Sequence, residues 1–161
     1  FHAKSLADNN RTVAAVEKSF EIKVGRALIR GNVDRIEVDS AGNHFIIDFK
    51  TGKNEISGED AKTNLQLACY QLGVILDGFE KKLSSTQVSG AQLVYLASKN
   101  KSYSTRDQDA LHDVEGTKEI LSDIAIGMGA ATFTARKNDM CKQCKVKPSC
   151  PLYLEGKAVH Q

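Results

Sequence analysis

The sequence has no long apolar run. None of its 161 residues lies in a stretch of about 20 consecutive apolar residues, which a membrane-spanning helix requires. It also lacks a basic segment followed by an apolar one, the pattern of a secretory signal. These absences exclude a membrane-spanning helix and give no sign of secretion. The chain begins at Phe1 rather than Met, so we expect it to be an N-terminally truncated piece of a longer protein.

Net charge is also small. A formal charge of +2 is too low to imply nucleic-acid binding, and the hydrophobic content of 41% is ordinary for a soluble globular domain. The C-terminal end differs, because six cations there outnumber Asp139 and Glu155. This asymmetry fits a phosphate backbone nearby or a merely solvated face. The six cations are Arg136, Lys137, Lys142, Lys145, Lys147 and Lys157.

Cysteine is scarce and unevenly placed. Three of the four cysteines, Cys141, Cys144 and Cys150, form a C-x2-C-x5-C pattern near the C-terminus. Thiolates at this spacing bind Zn²⁺ or an iron–sulfur cluster. Such crowding fits metal binding in a reducing cytoplasm better than a set of disulfides. We therefore predict a cytoplasmic protein, with Cys69 as a small core residue.

The first third of the chain predicts strands. Residues 13–24, 27–38 and 44–50 are rich in alternating or β-branched apolar residues. Turn signals at residues 25–26 and 41–43 separate them. Gly31, inside the second strand, marks a bulge or a close backbone approach.

The remainder predicts helices alternating with one strand. Ser57 and Asp60 offer starts for a long helix reaching Leu76, followed by a strand over 90–97 and a second helix over 107–129. Hairpin strands followed by helix, strand and helix indicate a mixed sheet flanked by helices. The predicted fold class is α/β or α+β.

Two carboxylates and a lysine meet in the predicted hairpin. Asp48 and Lys50 are two apart and share one strand face, whereas Phe49 points to the opposite face, into the expected core. A turn at 41–43 puts Asp34 opposite Lys50 and within reach of Asp48. Paired carboxylates favour Mg²⁺ or Mn²⁺, and the lysine suits phosphodiester hydrolysis. An Asp-x-Lys in a strand is also commonly a surface ion pair.

The residues around this trio resemble a known family. GNVDRIEVDSAGNHFIIDFKTGK, followed by Gln66 and Tyr70 four apart on a helix, is similar to the core of the RecB-like branch of PD-(D/E)XK nucleases. The resemblance implies a restriction-endonuclease-like fold. It also implies a metal held by Asp34, Asp48 and the carbonyl of Phe49.

Further roles follow only from the resemblance. Lys50 would serve the attacking water. Glu17 matches an acidic position ahead of the core in this family and is a further candidate catalytic residue. Gln66, Tyr70 and Arg35 would contact the DNA substrate.

The cysteine pattern looks like the C-terminal part of the 4Fe–4S staple found in AddB-type, AdnAB-type and Cas4-type nucleases. The family's fourth cysteine and its early metal-ligating histidine have no equivalent here, since His2, His44, His112 and His160 lack that motif. We therefore expect an incomplete cluster, weak metal binding and poor cleavage by this chain alone.

The resemblance implies a nuclease core over residues 1–135 and a Cys-rich segment over 136–161 that packs on it. The leading hypothesis is the exonuclease domain of an ATP-dependent helicase–nuclease acting in double-strand break repair and recombination. Its partners would be DNA, a helicase domain in the same chain and a second helicase–nuclease subunit. The alternatives are a stand-alone Cas4-like exonuclease and a non-catalytic DNA-binding module.

Overall fold

A five-stranded mixed sheet forms the centre of the fold. The computed structural model describes residues 10–97, 103–130 and 134–153. The strands follow the order β1-β2-β3-β4-β5; β3 and β4 run parallel and the other neighbours antiparallel. This confirms the predicted mixed sheet with helices, the α+β restriction-endonuclease-like class. The strands are β1 (Arg11–Val24), β2 (Ala27–Asp39), β3 (His44–Lys50), β4 (Val88–Tyr95) and β5 (Ser104–Gln108).

Between β3 and β4 the chain forms two helices rather than the single one predicted. Helix α1 (Gly58–Lys62) has Ser57 as its N-cap, and helix α2 (Leu65–Ile75) begins after Asn64. The Asn64 side chain accepts a hydrogen bond from Leu67 N at 3.0 Å. This cap fixes a new helix start and explains the interruption. The predicted end of the helix at residues 76–78 is confirmed.

The predicted helix over 107–129 is wrong in its first part. Residues Ser104–Gln108 form strand β5, which pairs with β4, and helix α3 covers only Val114–Gly129. Gln108 is buried, and its amide donates to carbonyls near the end of α1, including that of Ala61 at 3.1 Å. These long-range bonds hold a polar segment as an edge strand, against its weak strand propensity.

The two faces of the sheet are packed unequally. The larger core includes Ile46, on the face of β3 that carries Asp48 and Lys50, and Cys69 packs against it as predicted. Phe49 contacts a smaller cluster on the other face, formed by Phe45, Ile47 and Val94. Phe49 therefore points away from the main core, which corrects the prediction.

The chain forms two compact units, Phe1–Asp123 and Ile124–Gln161. In the second unit two short 3₁₀ helices, Asp139–Gln143 and Lys147–Ser149, follow the end of α3. We predicted a division after residue 135, and the functional assignment of the two parts stays a prediction. Among the residues described, no helix has the length and apolar character to cross a membrane.

Candidate active site

Asp34 lies just beyond the paired part of β2 and β3. The last pair of this ladder is Arg35 with Ile47. Continuing the register brings Asp34 level with Asp48, two positions away from the predicted partner Lys50. The two carboxylates therefore lie across the hairpin from each other, because the turn is centred on Ala41, one residue earlier than predicted.

The Asp34 side chain is hydrogen-bonded to the backbone of the neighbouring strand β3. Its Oδ2 accepts a hydrogen bond from Phe49 N at 2.7 Å. A carboxylate that accepts a backbone N–H has its orientation fixed, because such charge-assisted bonds are short and strong. Asp34 is half-buried, so it is both held in place and open to solvent.

Glu17 lies on β1 at the level of Asp34. The residue pairs on either side are Val16 with Arg35 and Lys18 with Val33. Glu17 has a φ of +47°, in the left-handed region that costs a non-glycine residue about 1–3 kcal/mol. The Glu17 side chain is exposed.

Asp48, Lys50 and Gln66 form the centre of the site. Lys50 Nζ lies 2.7 Å from Asp48 Oδ2 and donates to Gln66 Oε1 at 2.8 Å. Gln66 Nε2 in turn donates to Asp48 Oδ1 at 3.1 Å. A single amide thus holds the lysine and the carboxylate of β3 at a fixed separation. This places the predicted residues of β3 and α2 together.

Asp48 is the least exposed carboxylate of the pair. The residue is 4% exposed. Burial raises the pKa of its carboxyl, and the negative charge of Asp34 raises it further, whereas Lys50 opposes the shift. Its Oδ2 is buried without a hydrogen bond of good geometry among the described residues, although Lys50 Nζ is close. A buried carboxylate beside a second one favours a bound cation.

Tyr70 closes the site from helix α2. Its hydroxyl accepts a hydrogen bond from Gln66 Nε2 at 2.8 Å. Burial raises the pKa of this phenol, Gln66 opposes the shift, and the charges of Asp48 and Asp34 add to it. The ring is held by Phe20 of β1, edge to face at a centroid distance of 5.9 Å.

Gly31 allows this packing. A Cβ at this position would lie 2.7 Å from Phe20 Cε1 and 3.5 Å from Tyr70 Cε1. The close backbone approach predicted for Gly31 is therefore confirmed. No sequence pattern indicates that Phe20 supports Tyr70.

Arg35, which the resemblance predicts to contact DNA, is buried inside the sheet. It is 1% exposed and pairs with Glu37, which is itself 0% exposed and lies 3.7 Å from Arg11. A side chain so buried has no surface to offer a substrate, and its charge is matched within the sheet. This placement favours a structural role for Arg35.

Tyr95 belongs to the surroundings of the site and was not predicted. It pairs in register with Lys50, and its hydroxyl accepts a hydrogen bond from Ile56 N at 3.2 Å. The tyrosine fixes the loop that follows β3. A buried tyrosine in an apolar strand carries no distinguishing sequence pattern, so reasoning from the sequence alone had no signal to find it.

The oxygen donors at the site fit a hard divalent cation. Asp34 and Asp48 supply two carboxylates, and the buried Asp48 Oδ2 has Lys50 Nζ 2.7 Å away as its charged neighbour. The described residues contain no group of three or more His, Cys, Asp or Glu side chains arranged to hold a metal. Mg²⁺ commonly uses one or two carboxylates and keeps several waters, so two carboxylates are a sufficient donor set.

The predicted cysteine ligands lie in the second unit. Cys141, Cys144 and Cys150 are free thiols. Burial raises the pKa of the Tyr153 hydroxyl, and the neighbouring thiols, Cys141 foremost, raise it further. Among the described residues, these thiols form no group arranged to hold a metal ion.

The histidines are scattered. His44 is fully buried in β3, with Nε2 3.4 Å from Ser84 Oγ. His112 lines a cavity of about 260 Å³ beside α3. His2 and His160 lie outside the described residues.

Fold and site together define a nuclease-like centre, with two carboxylates and a lysine on adjacent strands of a mixed sheet. The model of the PD-(D/E)XK nuclease superfamily matches residues 1–151. The chain therefore belongs to the PD-(D/E)XK nuclease superfamily, whose members are nucleases.

A solved structure has a similar fold. The crystal structure of SSO0001 matches with a TM-score of 0.51 and 20% sequence identity, over 94% of this chain and 66% of that one. The chain thus spans slightly less than two thirds of the length of that structure, and the likeness concerns the fold alone. A search of the curated proteins found no match.

Proposed function

We propose that this chain is a Mg²⁺- or Mn²⁺-dependent deoxyribonuclease domain that hydrolyses phosphodiester bonds. The observation that carries the proposal is the buried Asp48, level with Asp34 and joined to Lys50 and Gln66. Burying one carboxylate beside another costs stability unless a cation binds there. Such a cost is typical of a site built for function.

Asp34 and Asp48 would hold the metal, with the Phe49 carbonyl as a further ligand. When bound, a divalent metal supplies Lewis-acid activation of the phosphoryl group and of water. The amide of Phe49 keeps the Asp34 carboxylate oriented through a 2.7 Å hydrogen bond. Glu17 would add a further negative charge at the level of Asp34.

Lys50 would position the attacking water and balance the charge that develops on the phosphate in the transition state. Gln66 fixes the ammonium through a 2.8 Å hydrogen bond. Gln66 and Tyr70 would also orient the substrate strand. No such role is proposed for Arg35, because it is buried in its pair with Glu37.

The finer biological setting is part of the same proposal. Resemblance to the RecB-like branch supports an exonuclease domain of a cytoplasmic helicase–nuclease in double-strand break repair, with a helicase in the same chain and a second subunit. A 4Fe–4S cluster on Cys141, Cys144 and Cys150 belongs to that setting. The complete gene tests it, because helicase motifs upstream separate this role from a stand-alone Cas4-like exonuclease.

Mn²⁺ binding to the 161-residue chain, measured by calorimetry and by the loss of the free-ion EPR signal, tests the metal site. We expect Asp48→Asn and Asp34→Asn to weaken binding by more than about tenfold, as loss of a ligand does at other metal sites. Glu59→Gln is the matched control, since its carboxylate lies exposed on α1. Equal affinity in Asp48→Asn and Glu59→Gln would refute the site and favour a non-catalytic module.

A further inference from the structure

The net positive charge of the chain is concentrated in one short segment. Residues 134–153 carry five cations and one acid, a net charge of +4, whereas the whole chain carries +2. The remainder therefore has a net charge of −2. The cations are Arg136, Lys137, Lys142, Lys145 and Lys147, and we call this segment the basic segment.

The cations of the basic segment are exposed and form no ion pair with another described residue. All five side chains are exposed. Within the described part of the chain, none of them has a carboxylate within 4.0 Å, whereas eight ion pairs occur among residues 11–118. Exposed cations that form no ion pair within the described part of the chain can bind an external anion.

Two of these cations converge on an aromatic ring. Lys147 Nζ lies 4.8 Å and Lys137 Nζ 6.0 Å from the centroid of Tyr153. The lysines are ten residues apart in the sequence, so the fold of the segment brings them together. A half-buried tyrosine flanked by ammonium groups combines cation–π contact with a planar surface on which a base can stack.

We propose that the basic segment is a binding surface for the phosphodiester backbone of DNA, with Lys137, Lys147 and Tyr153 at its centre. The choice of DNA as the ligand rests on the proposed function. The site itself rests on the charges and contacts of residues 134–153 and does not require a metal or the carboxylates of β3. Phosphate contacts of this kind fix a strand in place without selecting its sequence.

The test measures binding of a fluorescein-labelled single-stranded oligonucleotide and of the matching duplex to the 161-residue chain. EDTA is present throughout, so that no cleavage occurs, and the salt concentration is varied. For Lys137→Ala/Lys147→Ala we expect weaker binding. The slope of the logarithm of the binding constant against the logarithm of the salt concentration should fall in magnitude by about 1.4 for the single strand, because each lost phosphate contact accounts for about 0.7. The loss should be the same for different base sequences.

Lys23→Ala/Lys81→Ala is the matched control, because it removes the same charge from exposed lysines outside the segment. It should leave most of the affinity and the salt dependence unchanged. Tyr153→Leu keeps the charges, so a selective loss of single-strand binding would locate the stacking surface. Circular dichroism verifies that every variant keeps the folded spectrum.

Equal binding by the basic-segment variant and the control would overturn the proposal. So would binding to phosphatidylserine vesicles in the absence of DNA binding, since it would identify an acidic membrane as the partner. Asp48→Asn separates this proposal from the proposed function. Its Mn²⁺ affinity decides the nuclease assignment, whereas oligonucleotide binding in EDTA by the unmodified chain and the lysine variants decides the present proposal.

Discussion

At the scale of single residues, Gln66 connects the elements of the candidate site. Its amide accepts from Lys50, donates to Asp48 and donates to the Tyr70 hydroxyl. The oxygen and the nitrogen of the Gln66 amide are therefore both hydrogen-bonded, to residues of strand β3 and of helix α2. The arrangement holds the ammonium of Lys50 against Asp48 at 2.7 Å, where it partly neutralises a carboxylate that would otherwise be buried unpaired.

Replacing Lys50 should separate metal binding from catalysis. We expect Lys50→Met to cleave DNA about 100-fold more slowly, because removing one preorganised electrostatic donor has this effect in other enzymes. Its Mn²⁺ affinity should be unchanged or higher, since the ammonium no longer competes for Asp48. Single-turnover cleavage and calorimetry measure the two quantities.

Lys53→Met is the control for this substitution. Lys53 is an exposed lysine three positions further along the chain. The Lys53→Met protein should cleave DNA at the same rate as the unmodified chain. A Lys50→Met protein that also lost its Mn²⁺ binding would contradict the separate roles.

His44 should make stability depend on pH. It is fully buried, and burial lowers the pKa of its imidazole, opposed by the Gln87 backbone and the charge of Asp39. The unfolded chain therefore takes up the proton more readily than the folded one. The contribution of His44 is fully present above its unfolded pKa of about 6.5 and is lost as the pH falls below it.

Titration of His44 lowers the free energy of unfolding by at most about 1.4 kcal/mol for each unit by which the pH falls. Urea unfolding at pH 5 and pH 7.5 measures it, with His44→Gln as the comparison, because that variant cannot titrate. An equal dependence in both proteins between these pH values would show that His44 does not contribute.

At the scale of elements, the β1–β2 hairpin and helix α2 meet at Gly31. A Cβ there would lie 2.7 Å from the Phe20 ring, which supports Tyr70. We expect Gly31→Ala to lower the free energy of unfolding by about 1–3 kcal/mol, as overpacking does in other cores. Thermal or urea denaturation provides the measurement.

Gly52→Ala is the matched control, because a Cβ at Gly52 would meet nothing within 4 Å. Its stability should change by less than about 0.5 kcal/mol. If both variants unfolded at the same urea concentration, the close packing at Gly31 would not be a constraint.

The elements differ in how far the sequence could predict them. The first three strands alternate in hydrophobicity and are separated by glycine turns, so local pattern and structure agree. Strand β5 has the polar sequence STRDQ, and long-range bonds from Gln108 stabilise it. The break before α2 depends on the Asn64 cap, which is a local signal in the sequence.

At the scale of the whole molecule, the site combines residues that are far apart in the chain. Asp34 lies 15 residues before Phe49, and Gln66 lies 18 residues after Asp48. Spacing alone predicted that these residues share faces of strands and helices. It could not predict the register that brings Asp34 level with Asp48, because register depends on the packing of the whole sheet.

The burial of Arg35 likewise could not be predicted from spacing, because it depends on the packing of the whole sheet. A charged residue next to Asp34 resembles a substrate contact in the sequence. In the structure its side chain is buried with Glu37, and only the folded sheet reveals the partner.

Cleavage of a labelled linear DNA by the 161-residue chain tests the central claim most directly. The protein is in excess over DNA, and Mn²⁺ or Mg²⁺ is compared with EDTA. We predict slow cleavage that requires the metal, a decrease of at least about 100-fold in Asp48→Asn, and an unchanged rate in Glu59→Gln. Equal rates in the two variants, cleavage that persists in EDTA, or no metal-dependent cleavage at protein excess would contradict an active centre at Asp34, Asp48 and Lys50.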